Sequence, residues 1–370
     1  NQSPFFARWR QTVWTGSTSP DWHTAANWGG GTVPLPNAGI SIVSSDVSIT
    51  SADVTVNSLI VSGGRTVTIG AGRTLTVTRT LDLSDGSLAG PGTLIVNGDF
   101  SVNAGNVTGL ASVTVNGSLY LTNGIISGSG PVAVTSCRTS AIGGGSAGSY
   151  VSSPLTRCVN SAGTYRFPVG SSGVYAPVEL AGITGSGNFT VEPKSGEYAG
   201  ATGLPANRLQ RWWNMAGSGI SQADLTFSYS DTEVVGIEGR YRAYSIAGGT
   251  AQQVPTVLNL ASNKAFVAGA TSFAAWTLAE AAPTFETLKG RITTPSSMGA
   301  DRVIVTLTDQ LGNVRYGISS QLGYYRFMNV ETWKTYTIQL VSKKYVFTPA
   351  ARTLEFIESA PDVNFRSANH

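Results

Sequence analysis

Charged side chains are scarce in this sequence. Only 12% of its 370 residues are Asp, Glu, Lys or Arg, against about a quarter in typical soluble domains. Such scarcity occurs in disordered chains and in membrane proteins, but neither class fits. No apolar run approaches the roughly 18 residues that a spanning helix needs, and 8 Trp, 13 Tyr and 13 Phe provide aromatic surface to bury. The sequence therefore predicts a folded protein without a membrane span.

A strong excess of charge of either sign is also missing, because the formal net charge is only +3. Proteins that bind nucleic acid usually carry clustered basic residues, and here the basic residues are scattered along the chain. We therefore expect no nucleic-acid partner. The polar surface has to come mainly from Ser, Thr, Asn and Gly.

Histidine is nearly absent, since the sequence contains only His23 and the terminal His370. A Ser-His-Asp triad or a multi-histidine metal site therefore lacks its parts. The glycine runs at 29–31 and 143–145 lack the lysine of a phosphate-binding loop. We expect no catalytic residue, no metal and no cofactor, and hence a protein that is not an enzyme.

Cysteine occurs twice, at Cys137 and Cys158. Their 21-residue separation, with no further Cys and no nearby His, argues against a zinc site. We predict a disulfide, which would stabilise the fold by about 3 kcal/mol in the chain-entropy model; two unrelated buried thiols are the alternative. The chain begins at Asn1 rather than Met, as a processed, exported chain would, and export would place it where disulfides form.

A 19-residue repeat is present from residue 73 onward. Aliphatic residues recur at this spacing in several columns, and Gly86, Gly105 and Gly124 recur at one corner of each unit. The two longest columns are Leu75, Leu94, Val113, Val132 and Val77, Val96, Val115, Val134. An upstream unit around Val54–Val56 fits after a slip of two or three residues. Each unit thus has two short alternating apolar runs, a glycine turn and one further apolar residue.

The repeat predicts a β-solenoid over residues 37–160. Period-2 alternation puts one side of each run inward, and only stacked units can bury those sides together. A sandwich of ordinary hairpins is the alternative, but hairpins do not predict aligned columns at constant spacing. The outward columns contain no stack of acids, so a polysaccharide-cleaving solenoid enzyme is disfavoured.

A tryptophan-rich segment precedes the repeats. Its elements are Trp14-Thr-Gly16, Asp21-Trp22, Ala26-Asn27-Trp28 and Val33-Pro34. The segment resembles the N-terminal stretch that opens many bacterial surface solenoids. We expect residues 1–36 to contain an arm and a cap that covers the exposed edge of the first coil; the alternative is an aromatic platform that stacks on sugars.

The N-terminal arm carries Phe5, Phe6 and Trp9 ahead of any recognised domain. Such an arm could add as a strand to a neighbouring subunit. The alternative is a strand that folds back on its own solenoid. The three aromatic residues are therefore candidate subunit contacts.

Residues 161–282 are rich in aromatic residues at irregular spacing, which predicts a β-sandwich. Their motifs are Arg166-Phe-Pro-Val-Gly170, Tyr175-Ala-Pro-Val-Glu-Leu180, Asn207-Arg208 and a terminal F..W.L.E element that begins at Phe273. This stretch is similar to a module common in large bacterial surface proteins. The resemblance implies no catalytic role.

Residues 283–370 form a third predicted unit. Its main elements are Leu288–Ile292, Val303–Leu307, Gly323–Phe327 and Tyr336–Leu340. The pattern resembles the carboxypeptidase regulatory-like (transthyretin-like) domain. The resemblance implies a small Greek-key sandwich that acts as a spacer. The predicted fold class of the whole chain is therefore all-β: a solenoid, a β-sandwich and this small sandwich.

The leading hypothesis is a secreted structural subunit of a bacterial filament, appendage or surface layer. Its expected partners are further copies of the chain or other surface proteins. The alternative is an adhesin that binds glycans through Trp212, Trp213 or Trp333. Either hypothesis places the protein outside the cell.

Overall fold

The computed structural model describes residues 12–128, 130–161, 163–356 and 362–368. The protein is nearly all β, and its short 3-10 turns are Ala25–Asn27, Thr139–Ala141, Asp231–Glu233, Glu238–Arg240 and Leu260–Ser262. Within the described ranges, no helix has the length and apolarity needed to cross a membrane. The chain folds into two compact units, Asn1–Glu280 and Ala281–His370.

The first unit begins with a β-solenoid of about six turns. Its strands are β1 (Thr12–Val13), β2 (Gly39–Ile42), β3 (Val47–Ile49), β4 (Val54–Val61), β5 (Thr66–Ile69), β6 (Thr74–Leu83), β7 (Ser87–Ala89), β8 (Thr93–Val96), β9 (Asp99–Val102), β10 (Val107–Thr108), β11 (Ser112–Val115), β12 (Leu119–Leu121), β13 (Ile126–Ser127), β14 (Val132–Val134), β15 (Ile142–Gly144) and β16 (Leu155–Val159). They form three ladders of parallel strands. The predicted solenoid is confirmed.

Residues that belong to one 19-residue column pair with one another in the parallel ladders. Leu94 of β8 pairs with Leu75 on one side and with Val113 on the other. The predicted core residues Leu75, Val77, Leu94, Val96, Val113, Val115, Val132 and Val134 are all buried. Because each coil repeats the same inward positions, burial of one coil requires its neighbours, and the stack shares one aliphatic core.

The upstream coils have the longer spacing that the slip in the repeat predicts. Val54 pairs with Leu75, 21 residues away, and Leu59 pairs with Leu81, 22 residues away. The extra residue is taken up by an irregularity between Val56 and Ser58, as a β-bulge does. The spacing is thus 21 or 22 residues between β4 and β6, becomes 19 from β6 to β14, and lengthens to 23 at the last coil, where Val132 pairs with Leu155.

The tryptophan-rich segment packs onto the start of the solenoid. The rings of Trp14, Trp22 and Trp28 are buried, and Trp28 makes edge contacts with the other two at centroid distances of 4.9 and 4.7 Å. The indole Nε1 of Trp14 donates to Ser45 Oγ at 2.9 Å. These rings fill a core and offer no open face for a sugar. The arm residues Phe5, Phe6 and Trp9 lie outside the described residues.

The rest of the first unit is a sandwich-like arrangement of antiparallel strands. Its strands are β17 (Tyr165–Phe167), β18 (Gly170–Ser171), β19 (Val174–Tyr175), β20 (Val178–Ser195), β21 (Arg208–Ser228), β22 (Tyr241–Ala247), β23 (Thr250–Val254), β24 (Val257–Asn259), β25 (Lys264–Ala270) and β26 (Ala275–Glu280). Strand β16 joins it to the solenoid, because β16 pairs parallel with β14 and antiparallel with β20. Buried residues of both parts belong to one continuous hydrophobic core.

The second unit contains two sheets around a separate core. Its strands are β27 (Phe285–Thr293), β28 (Ile304–Asp309), β29 (Val314–Ile318), β30 (Tyr324–Glu331), β31 (Lys334–Val341), β32 (Ala351–Phe356) and β33 (Phe365–Arg366). One sheet has the order β30-β27-β33 and the other β29-β28-β31-β32. Leu288 and Phe327 of the first sheet and Val305 and Ile338 of the second are buried in this core.

Candidate functional site

The outer surface of the solenoid carries ladders of polar side chains. Asn116 Nδ2 donates to Asn97 Oδ1 at 2.8 Å, and Thr135 Oγ1 donates to Asn116 Oδ1 at 2.9 Å. Asn103 Nδ2 donates in the same way to Asp82 Oδ1 at 2.9 Å. Since these side chains hydrogen-bond to one another along the stack, they reinforce the register of the coils. The described residues contain no group of three or more His, Cys, Asp or Glu that could hold a metal.

The two cysteines form the predicted disulfide at the end of the solenoid. Cys137 and Cys158 have their Cα atoms 4.5 Å apart, and Cys158 lies on β16, the strand shared with the sandwich. The phenol of Tyr165 donates to the carbonyl of Cys137 at 3.0 Å. The crosslink therefore fixes the segment after β14 to the strand on which the sandwich begins.

Next to the disulfide, the side chain of Arg157 is fully buried. Its Nη1 donates to the carbonyl of Arg166 at 2.8 Å, and its Nη2 donates to the carbonyls of Arg138 and Thr139 at 3.0 and 3.1 Å. The ring of Tyr165 lies 4.9 Å from the guanidinium. Burial lowers the pKa of Arg157 to about 10. The buried guanidinium thus ties together three carbonyls at the junction of the solenoid and the sandwich.

We expect Arg157→Lys to destabilise the first unit by about 2 kcal/mol, because one ammonium group cannot replace two separate nitrogens that donate to three carbonyls around the edge of the guanidinium. The urea midpoint, followed by tryptophan fluorescence, measures this loss. Arg166→Lys is the matched control, since that side chain is exposed and its nearest carboxylate, Glu179, is 3.9 Å away. Equal midpoints for the two variants would contradict the structural role of Arg157.

The motif residues of the first sandwich form polar contacts inside the fold. Asn207 Nδ2 donates to Glu280 Oε2 at 3.0 Å, and the Ile237 backbone N–H donates to the other carboxylate oxygen. Glu280 ends the F..W.L.E element, so two motifs separated by 73 residues meet here. Nothing in the sequence pattern indicates that they are partners. Their contact joins the residue just before β21 to the last residue of β26.

The three tryptophans proposed for glycan binding lie in different environments. Trp213 is fully buried, and its indole Nε1 donates to the carbonyl of Ala176 at 3.1 Å. Trp212 is half-buried against Tyr198, at a centroid distance of 4.9 Å. Trp333 is half-buried in the second unit. Trp213 therefore presents no face to a sugar.

The second unit exposes a group of apolar side chains on one face of its four-stranded sheet. We call this group the outer apolar face. Its residues are Ile304, Val314, Tyr316, Ile318 and Val341. Tyr316 is 74% exposed and Ile318 is 66% exposed. The alternation of Val314, Tyr316 and Ile318 is visible in the sequence, but it does not show that these side chains are exposed.

Strand pairing places these side chains side by side. Ile304 of β28 lies opposite Ile318 of β29 and opposite Val341 of β31, which gives an apolar row across three strands. Tyr316 lies opposite Thr306 in the next row. Because the other outward residues of β28 are threonines, the outer apolar face has no charged side chain at its centre. Contiguous apolar surface of this kind is typical of interaction sites.

The edge of the same sheet is open at β29. In the described residues β29 pairs only with β28. Hydrogen bonds from Ser319 N to Val303 O and from Asp309 N to Asn313 O lie at the two ends of this ladder. In an antiparallel ladder, only every second residue of a strand directs its backbone N–H and C=O toward the partner strand. Counted from these two ends, Val314, Tyr316 and Ile318 are the residues in between, so their backbone groups point toward the free edge.

The edge also lacks the charged residue that usually protects such a strand. Arg315 is the only charged residue of β29, and its guanidinium is turned toward β30 of the other sheet. It donates to the carbonyls of Met328 and Asn329 at 2.5 and 3.2 Å and lies 5.8 Å from the ring of Phe327. Along β29, apolar side chains are therefore exposed together with backbone groups that have no partner among the described residues.

Comparison with known proteins adds no indication of function. No protein-family model, no curated protein and no solved structure matches this chain. The resemblance of residues 161–282 to a bacterial surface module and that of residues 283–370 to the carboxypeptidase regulatory-like domain therefore depend on their motifs alone. The open edge at β29 is the strongest candidate for a functional surface.

Proposed function

We propose that this protein is an extracellular structural subunit that associates with copies of itself in a bacterial filament, appendage or surface layer. The open edge of β29, next to the outer apolar face, is the observation that carries the proposal. A long-lived soluble monomer would expose this edge to uncontrolled pairing, whereas a polymer would cover it. A second copy of the chain is the occupant that we propose.

Other features support a structural role. The solenoid is stabilised by a continuous aliphatic core and by polar ladders along its surface. The Cys137–Cys158 disulfide suits an oxidising compartment outside the cytosol. We also infer that the second unit is a carboxypeptidase regulatory-like domain, because its two sheets of three and four strands enclose one small core. Such a domain would serve as a spacer without catalysis.

The proposal predicts that the full chain forms polymers whose size increases with protein concentration. Sedimentation velocity gives the size distribution, and negative-stain electron microscopy shows whether the particles are regular. We expect deletion of residues 1–11 to leave monomers, because the arm with Phe5, Phe6 and Trp9 is the proposed connector. Its removal deletes no described strand, since β1 begins at Thr12.

The matched control is Gln2→Ala with Ser3→Ala, which alters the same arm but keeps its aromatic residues. This control is expected to polymerise like the unchanged chain. A full chain that stays monomeric at every concentration would contradict the proposed function. Polymers that persist after the deletion would show that the arm is not the connector.

A further inference from the structure

The N-terminal arm has the sequence pattern of a strand that fits the edge of β29. Residues Phe5, Ala7 and Trp9 alternate with Phe6, Arg8 and Arg10. In an extended chain alternate side chains point to opposite faces. An arm strand would therefore present an apolar row of Phe5, Ala7 and Trp9 on one face and both arginines on the other.

We infer that β29 and the outer apolar face receive the N-terminal arm of a second copy, which adds to the sheet as an edge strand. This inference rests on the proposed function and names the acceptor site for the connector. Phe5–Trp9 and Val314–Ile318 are both five residues long. Val314, Tyr316 and Ile318 can thus be matched by Phe5, Ala7 and Trp9 on the same face of the sheet.

The two kinds of interaction at this edge reinforce one another. The outward backbone groups of Val314, Tyr316 and Ile318 can pair with an added strand, which gives affinity through main-chain hydrogen bonds. The same added strand would place apolar side chains beside Tyr316 and Ile318, whose exposed surface would then be covered. Arg315 would not obstruct the strand, because its guanidinium is held by the carbonyls of Met328 and Asn329.

The geometry of such an exchange favours an open polymer. The donor is the arm at the solenoid end of one copy, and the acceptor is the C-terminal unit of another. Because donor and acceptor are different surfaces, the contact is heterologous, and repeated contacts of this kind generate filaments unless the rotation closes a ring. Only Arg10 and Gln11 lie between the arm strand and β1, so the donor's cap would sit close to the acceptor sheet.

The test uses the chain that lacks residues 1–11 together with a fluorescent peptide of residues 1–11. Fluorescence anisotropy is expected to show saturable binding with one peptide per chain. We expect Tyr316→Lys with Ile318→Lys to weaken this binding at least about tenfold, which corresponds to about 1.4 kcal/mol. The matched control is Leu311→Lys, because Leu311 is 86% exposed but lies in the turn before β29.

Further variants separate strand addition from loose apolar contact. Tyr316→Pro and Tyr316→Ala both remove the tyrosine ring, but only proline also removes an outward backbone N–H, which edge strands tolerate. Far-UV circular dichroism should stay unchanged for both, while Tyr316→Pro is expected to bind the peptide at least about tenfold more weakly than Tyr316→Ala. In the peptide, Trp9→Lys is expected to abolish binding. Arg8→Ala, on the opposite side of the peptide strand, is expected to leave it unchanged.

The outcomes distinguish this inference from the proposed function. If the full chain polymerises but the peptide binds the lysine variant as tightly as the control, the acceptor lies elsewhere and the inference is wrong. If the peptide does not bind at all, the inference is wrong as well. If binding depends on Tyr316 and Ile318 but the full chain stays monomeric, the arm occupies its own chain, and both the second-copy inference and the proposed function fail.

Discussion

Gly105→Ala is expected to destabilise the first unit by about 4 kcal/mol, from backbone strain and overpacking together. Gly105 has a φ of 128°, a conformation that residues with a side chain rarely adopt. A β-carbon there would lie 1.9 Å from the carbonyl oxygen of Gly86 in the preceding coil. That oxygen belongs to the backbone of a stacked coil, so it cannot move without disturbing the ladder on either side.

The same crowding recurs one coil later, where a β-carbon on Gly124 would lie 1.7 Å from the carbonyl oxygen of Gly105. Stacked coils that approach this closely leave no room for a methyl group at the corner. The glycine column found in the sequence therefore marks a corner at which the backbones of neighbouring coils come close together. We expect this loss of unfolding free energy to lower the urea midpoint strongly, as measured by circular dichroism.

Gly72→Ala is the matched control for this prediction. Gly72 also has a positive φ, 67°, but a β-carbon there would meet nothing within 4 Å. Its substitution should cost only the strain of the left-handed conformation, about 1 kcal/mol. If Gly72→Ala and Gly105→Ala lower the urea midpoint equally, the requirement for glycine comes from the backbone conformation alone. The close stacking of the coils would then not contribute to it.

The solenoid could be predicted in detail because its sequence spacing equals its spatial spacing. Each residue of a column pairs with the residue 19 positions away, so Leu75 and Leu94 indicate both the fold and the register. The polar ladders follow the same rule, and Asn97, Asn116 and Thr135 are also 19 residues apart. The outward columns of the repeat therefore also contain a structural signal, because polar residues 19 positions apart become hydrogen-bonding neighbours.

The first sandwich could be predicted only as a class of fold. Its long hairpin of β20 and β21 contains several register shifts, and no period in the sequence relates one strand to the next. The hydrogen bond between Asn207 and Glu280 depends on that irregular register. Single-sequence patterns therefore identified the motifs but could not pair them.

The candidate site was missed for a different reason. Both faces of β29 carry residues that suit a sheet, with Val314, Tyr316 and Ile318 on one face and Arg315 and Gly317 on the other. The sequence alone cannot show which face is covered. Only the packing of Val305 and Leu307 of β28 into the core establishes that the apolar face of β29 points outward.

Substitution of Glu233 by Gln is expected to destabilise the first unit by about 3–5 kcal/mol, because it leaves a buried guanidinium without its counter-charge. Arg211 is fully buried, and its Nε and Nη2 donate to the carboxylate of Glu233 at 2.7 to 2.9 Å. The remaining Nη1 donates to Ser171 Oγ at 2.7 Å. Tryptophan fluorescence is a suitable probe, since Trp212 and Trp213 follow Arg211 directly on β21.

The matched control is Glu197→Gln, which breaks the ion pair between Glu197 and Arg208 at 2.9 Å. The Glu197 side chain is 47% exposed, so this substitution should cost at most about 1 kcal/mol. The double variant Arg211→Met with Glu233→Leu should regain most of the stability, because it removes both buried charges together. If Glu233→Gln costs no more than Glu197→Gln, the buried pair is not what holds β21 to the Asp231–Glu233 turn.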